Sequence, residues 1–505
     1  MPARTRPNVL FIFTDEQRQD TLKVYGNRKI KTPNLDRLAQ ESVVFTQAYV
    51  TQPVCTPARA TILSGLYPHT NGCIENNVPL KKEVPTIAEM MEGGDYVKGY
   101  FGKWHLGDEE IPQHGFEEHW ISIEEMYKRY YTREEYKAAK ASYHIFLKRH
   151  GFKPDAENSG YPVFSRHFAA RLPEEYCKPA FLAGEVCRFI RENREGNFLI
   201  YLNFLEPHMP FFGPYDGMYK PEDVDLPPNF NALPDPSSPI RYRYMAEYFR
   251  RHGWSDREGK HGTLESEWEW RYLISRYWGL VSLVDSHVGR ILKTLTECGL
   301  EENTVIVYTS DHGDMMGSHR LAGKMVMYEE AVKVPLLIKI PWLKNQPRLL
   351  EHPVSQIDLV PTILDLLGMP LPTHLQGTSW YPCLKGDREW EKKPIFIEWN
   401  GRDGDLWLDG PTYGFPEKEL RKATGARIRT VITPDGWKLN LSETGEHELY
   451  HLKKDPCETQ NLYHRREYRE TIQRLSAYIK GWQEQTGDEA HVAGDELAEG
   501  EEVRG

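Results

Sequence analysis

The sequence predicts an α/β protein: a large mixed, mostly parallel sheet covered by helices on both faces, followed by a smaller C-terminal α+β domain. Three observations carry this. Short β-branched and aromatic runs alternate with helix-periodic segments as far as Ile340. Beyond residue 376 that alternation gives way to a few strand-like runs and one amphipathic helix. At 505 residues the chain also exceeds the size at which a single core stops growing, so two packed domains are expected.

The predicted strands are Val9 to Phe13, Val43 to Phe45, Tyr96 to Phe101, Phe198 to Phe204, Val305 to Tyr308 and Leu336 to Ile340. Tyr277, Leu280, Val281, Val284, Val288, Ile291, Leu292 and Leu295 keep helical spacing, and Gly299 is placed to end that helix. Further on, Ile395 to Glu398 and Arg429 to Ile432 are strand-like, and Ile472, Leu475, Ile479 and Trp482 form the stripe of a C-terminal helix. The predicted organisation is an α/β domain over 1–375 that carries the candidate site, an α+β domain over 376–487 that closes one side of its pocket, and a tail over 488–505. Segments 110–180 and 213–270 break the alternation and are rich in Tyr, Trp, Arg, Glu and His. In α/β proteins the loops after strand C-termini carry binding residues, so these are candidate specificity insertions. Arg241, Tyr242, Arg243, Tyr244, Arg250, Arg251, Trp254 and His261 are candidates for a ligand subsite there, with homo-oligomer contacts as the alternative.

Hydrophobic residues at 39% and charged residues at 27% describe an ordinary globular chain, and no stretch of 18 apolar residues is present to span a bilayer. The N-terminus lacks a signal h-region and points to a cytoplasmic protein, or a periplasmic one if a leader has been removed. Seven scattered cysteines without a C-x-x-C argue against a disulfide framework or a zinc knuckle. The net charge of −11 is more than half tail, where seven acids face Arg504 alone. That tail reads as solvated and disordered. No basic face dominates, which disfavours a nucleic-acid partner.

Two patterns carry chemistry. In Cys55-Thr56-Pro57-Ala58-Arg59 a cysteine opens a helix with proline in its first turn, and the positive end of that helix favours negative charge at the cysteine. Arg59 adds a cation one turn on. The alternative is a buried cysteine packing as a small hydrophobe. The second pattern is acidic: the first strand ends in Thr14-Asp15-Glu16, and the strand at Val305 ends in Ser310-Asp311-His312-Gly313-Asp314. Carboxylates gathered at the carboxyl edge of central strands repel one another unless a cation sits among them, and they suit a hard divalent ion.

The segment from Cys55 to Gly65 resembles the first signature of the formylglycine-dependent sulfatases, members of the alkaline phosphatase superfamily. Gly99 to Gly107 resembles their second signature. Ser310 to Gly313 with Gly323-Lys324 and Tyr328-Glu329, Gln356 to Thr362, and Glu448 through Asp455-Pro456 to Asn461-Leu462 resemble later landmarks. The resemblance covers most of the chain and implies an alkaline-phosphatase-like fold, with Cys55 oxidised by a formylglycine-generating enzyme to an aldehyde whose hydrate attacks sulfur. It implies a metal held by Asp15, Glu16, Asp311, His312 and position 55. Ca²⁺ is favoured over Mg²⁺, with Mn²⁺ as a further option. Glu16 departs from the Asp, Asn or Gln usual there, and His312 stands where several members carry Asn.

The implied roles are chemical ones. Lys103 and Lys324 supply positive charge to an anionic ester, and Arg59 serves the diol oxygen nearest the metal. His105, two residues beyond Lys103 on what should be an extended strand end, suits a base on the same face. His208, in Glu206-Pro207-His208, matches the leaving-group acid. Asn76 aligns with an amide near the sulfate in some bacterial members. The expected function is hydrolysis of a small-molecule or carbohydrate sulfate ester by an arylsulfatase-like enzyme. The rival is a phosphonate monoester or phosphodiester hydrolase, which the Lys103 and His105 pair disfavours. An inactive binding homologue is the alternative of another class.

Overall fold

In the run Asn8–Asp15 successive side chains fall on opposite faces of a strand, and both faces are apolar: Val9, Phe11 and Phe13 enter one core, Leu10 and Ile12 another. A strand buried on both sides belongs at the centre of a parallel sheet. In the computed structural model, which describes residues 6–91, 96–158, 161–256, 259–260, 263–343, 349–401 and 410–492, it does. The main sheet contains β1 (Asn8–Asp15), β2 (Val43–Phe45), β3 (Tyr96–Gly102), β4 (His119–Ser122), β5 (Asn197–Pro207), β6 (Thr304–Ser310), β7 (Leu336–Lys339) and β8 (Leu349–Leu350), in the order β8-β2-β7-β6-β1-β5-β3-β4. All its pairings are parallel except those of β7 with β6 and β2.

Three helices matter for the site. α1 (Cys55–Ser64) is buried along its whole length and ends at Gly65, whose left-handed φ of +67° closes the last turn. α2 (Ile240–His252) lies in the second predicted insertion. α3 (Glu267–Glu297) begins earlier than its apolar stripe suggests, because Ser266 and Glu269 form a capping box; Gly299, at φ +68°, follows its last turn.

The C-terminal sheet runs β9 (Ile395–Trp399), β10 (Ile428–Ile432), β11 (Trp437–Ser442), β12 (Glu448–His451), antiparallel throughout, with α4 (Arg469–Thr486) packed on it through Ile472, Leu475 and Ile479. Asp488, expected to open the solvated tail, has a 2% exposed side chain and forms an ion pair at 2.6 Å with equally buried Arg429 on β10. An arginine buried in a strand needs a counter-charge, and Asp488 supplies it. The tail from residue 493 lies outside the described residues. Among those residues no helix is long and apolar enough to cross a membrane.

Candidate active site

Parallel pairing brings the acids together. Thr14 of β1 sits opposite Ser310 of β6, so the residues just past them, Asp15 and Asp311, leave the sheet side by side at its carboxyl edge, and the Asp311 N–H donates to the Thr14 carbonyl at 3.0 Å. α1 starts directly above them. Ligand atoms of Asp15, Cys55, Asp311 and His312 all lie within 4.8 Å of one another, and all four residues are buried. His312 Nδ1 lies 2.9 Å from the Gly313 carbonyl, which can only accept, so Nδ1 carries the proton and Nε2 turns its lone pair toward Cys55 Sγ at 3.3 Å. Glu16 stands apart from these four. It groups instead with Asp15 and His208, and its Oε2 lies 2.9 Å from Lys324 Nζ and 3.4 Å from His208 Nε2.

Arg59 holds the acids in place. Its Nη2 is 2.9 Å from both Asp15 Oδ2 and Asp311 Oδ2, and its Nη1 donates to the Lys103 carbonyl and to Asn203 Oδ1. Being fully buried, it braces the carboxylates, and its donors are spent on Asp15, Asp311, Asn203 and the Lys103 carbonyl. Burial raises the Asp15 carboxyl, but the Lys103 and Arg59 charges outweigh it and hold it well below the usual range. Burial lifts Glu16 to about 8 despite Lys324.

The helix-start argument for an anionic cysteine is overturned. Burial and then the Asp15 charge push the Cys55 thiol up to about 12, together outweighing Lys103, Lys324 and the partial charge of a helix end. The expected extended geometry at Lys103 to His105 also fails. β3 ends at Gly102, and His105 has a left-handed φ of +58°, held by Glu109, whose carboxylate accepts from the Trp104 and His105 N–H groups at 2.6 Å each. Both side chains still reach one pocket of about 290 Å³, which is lined by Cys55, Lys103, His105, His208 and Lys324. Burial, then Lys103 and Arg59, keep His105 well below its ordinary pKa; burial, then Lys324, does the same to His208. Both imidazoles are neutral in this state.

Asn76 lines the pocket while its Oδ1 accepts the Thr56 N–H, and Asn77 lines it too. The insertions do contribute, with other residues than expected. The 110–180 segment places Tyr127, and α2 with the turn after it places Tyr248, Phe249 and Trp254. Of the named basic and aromatic candidates among the described residues, only Trp254 lines the pocket. Arg241, Tyr242 and Tyr244 are buried, Arg250 and Arg251 pair with Glu247, and His261 lies outside the described residues. Among the described lining residues none comes from the C-terminal domain, contrary to expectation. That domain instead holds Glu329 of the α/β domain, through Lys438 paired to it at 3.1 Å and Glu458 accepting the Glu329 N–H. Asn203 was legible as a polar residue inside an apolar strand; Tyr127 carried no signal.

A model of the sulfatase family matches residues 7–369, and one described as N-sulphoglucosamine sulphohydrolase, C-terminal, matches 317–485. The chain is 29% identical over 490 residues to an arylsulfatase of Clostridium perfringens, covering 93% of each. It is 26% identical over 512 residues to an N-acetylglucosamine-6-O-sulfatase of Bacteroides thetaiotaomicron, covering 96% of this chain and 87% of that one. The structure of the phosphonate monoester hydrolase of Agrobacterium radiobacter superposes with a TM-score of 0.75 at 25% identity, covering 95% and 96% of the two chains. With its family match spanning the whole α/β region and the signature residues gathered in one pocket, this chain belongs to the sulfatase family.

Proposed function

We propose that this protein hydrolyses sulfate monoesters, converting R–O–SO₃⁻ and water to the alcohol and hydrogen sulfate, with position 55 as the nucleophile once its thiol has been oxidised to formylglycine. The observation that carries the reading is the gathering of two cations and two neutral histidines, Lys103 with His105 and Lys324 with His208, around position 55. Burial and the Asp15 charge keep the thiol protonated at neutral pH, which makes unmodified Cys55 a poor nucleophile.

The donor set fits a hard divalent cation. Asp15, Asp311 and His312 present two carboxylates and a free imidazole lone pair, and an oxygen at position 55 would complete the set. Ca²⁺ is favoured, with Mg²⁺ and Mn²⁺ as alternatives. Such an ion would polarise a sulfate oxygen and acidify the nucleophile. Lys103 and Lys324 would bind the nonbridging oxygens, where charge grows in the transition state. His105, neutral, would accept a proton from the nucleophile. His208 would deliver one to the departing alkoxide, since an anionic ester offsets the Lys324 charge that helps to keep this imidazole neutral. Tyr248, Phe249 and Trp254 suit a single sulfated ring, aryl or sugar.

Co-expression with a formylglycine-generating enzyme and peptide mass spectrometry test the reading. Turnover of an aryl sulfate should scale with the formylglycine fraction at position 55. Full turnover by unmodified thiol would overturn it.

A further inference from the structure

His105 lines the pocket with one nitrogen engaged and one idle. Its Nε2 lies 3.0 Å from Asn77 Oδ1, and its Nδ1 is buried with no hydrogen-bond partner among the described residues. An amide oxygen only accepts, so the proton of the neutral ring sits on Nε2 and the lone pair is on Nδ1. Tyr127 covers the ring face: its ring stacks on the imidazole at 3.9 Å between centroids and 19° between planes. The phenol is held in turn, its oxygen accepting from Arg166 Nη2 at 2.9 Å, while Arg166 Nε donates to both oxygens of buried Glu124 at 2.9 Å and Lys178 Nζ donates to the same carboxylate at 2.7 Å.

The backbone around this contact is unusual on both sides. Asn77 and His105 both have left-handed φ, +66° and +58°, a conformation that is strained for a residue with a Cβ. It persists only where surrounding contacts over-determine it. They do here. Glu109 fixes the His105 N–H, Thr56 Oγ1 donates to the His105 carbonyl at 2.7 Å, and the Asn77 N–H donates back to Thr56 Oγ1 at 3.2 Å. Two strained residues from different loops are thus tied to one threonine of α1 so that their side chains meet.

We propose that Asn77 and Tyr127 are positioning residues for His105, fixing its imidazole as the Nε2–H tautomer, with the ring clamped and the Nδ1 lone pair left free to take a proton. Both residues line the pocket, and the role assigned to each is exerted through the histidine. The proposal rests on the reading of His105 as the base, but the tautomer itself is a property of the resting protein and can be measured without turnover.

The test uses the full chain labelled with ¹⁵N-histidine, with Cys55 unmodified and its His105 signals assigned by their loss in His105→Gln. Wild type should show one tautomer, protonated at Nε2. Asn77→Ala should give a mixture, and Tyr127→Leu should broaden or shift the His105 signals, while Tyr127→Phe, which keeps the stack, should leave them nearly as in wild type. In formylglycine-bearing enzyme, Asn77→Ala and Tyr127→Leu should each lower kcat on the order of tenfold with KM little changed, a fraction of what a general base supplies. An Nδ1–H tautomer in wild type, or an unchanged His105 spectrum in both Asn77→Ala and Tyr127→Leu, overturns the proposal. Should Tyr127→Leu fail to fold, Asn77→Ala and the wild-type spectrum decide it. The expected tautomer in a formylglycine-bearing protein that turns over no sulfate ester would instead refute the proposed function and leave the positioning intact.

Discussion

Lys103 Nζ lies 2.6 Å from Asp15 Oδ2, and neither side chain has any exposure to solvent. A cation expected to face substrate is therefore tied to a carboxylate expected to face the metal. Arg59 reaches the same Asp15 oxygen at 2.9 Å, so the carboxylate keeps one partner when the other is removed.

Lys103→Ala should accordingly cost little stability and much activity. With Arg59 still in place the buried carboxylate stays partly compensated, and the loss should be about 1–3 kcal/mol. Sulfate-ester kcat/KM should fall at least ~100-fold, because a charge aimed at the transition state is gone. Urea unfolding alongside steady-state kinetics would check both. A variant that is severely unstable yet fully active per folded molecule would contradict the assignment.

Asp311→Asn should strip the protein of its divalent ion. This carboxylate accepts from Arg59 Nε at 3.0 Å and from the Glu16 and His312 N–H groups, so it organises the ligand loop as well as offering a donor. Elemental analysis should find stoichiometric metal in wild type and little in the variant, with circular dichroism unchanged. Equal metal in both would move the site elsewhere.

Glu124 predicts an acid-sensitive contribution to stability. Burial raises its carboxyl, but Arg166 and Lys178 bring it down to about 2 from an ordinary 4.5. A depressed folded-state pKa contributes stability that is complete above the unfolded value and lost as pH falls through the folded one. The window is therefore pH 4.5 down to 2, and the amount about 3 kcal/mol. Glu124→Gln should flatten the pH dependence of unfolding free energy in that window; an unchanged slope would show that the shift is not realised.

Aryl sulfate and aryl phosphonate compared on formylglycine-bearing enzyme separate the two chemistries this fold accommodates. Wild type should favour the sulfate ester in kcat/KM, and Lys103→Ala should erode that preference. A wild-type preference for the phosphonate by orders of magnitude, with sulfate-ester cleavage indifferent to Lys103 and His105, would select the other reaction.

Asp488→Ala should destabilise by about 3–5 kcal/mol, because it leaves Arg429 as an unpaired buried charge. Thermal unfolding at neutral pH would measure it. A change within about 0.5 kcal/mol, the range of an ordinary surface substitution, would mean that Asp488 belongs to a solvated tail after all.

The strands and helices that build the sheet were legible in the sequence because their signals are local. Two-sided apolar runs such as Val9 to Phe13 mark central strands, and the stripe from Tyr277 to Leu295 marks a helix. The signature residues were legible too, since Cys55, Arg59 and the acids at two strand ends stand in short fixed patterns. What those residues do to one another was not. Register alone brings Asp15 beside Asp311 below Cys55, and the local argument there is reversed: a helix terminus favours a thiolate, but burial and then a nearby carboxylate disfavour it more strongly. The left-handed turn at His105, its contacts with Asn77 and Tyr127, and the service of Lys103 to Asp15 all join residues far apart in the chain. Periodicity and motif spacing describe neighbours in sequence, while burial, charge pairing and side-chain reach depend on neighbours in space, and only the tertiary structure supplies those.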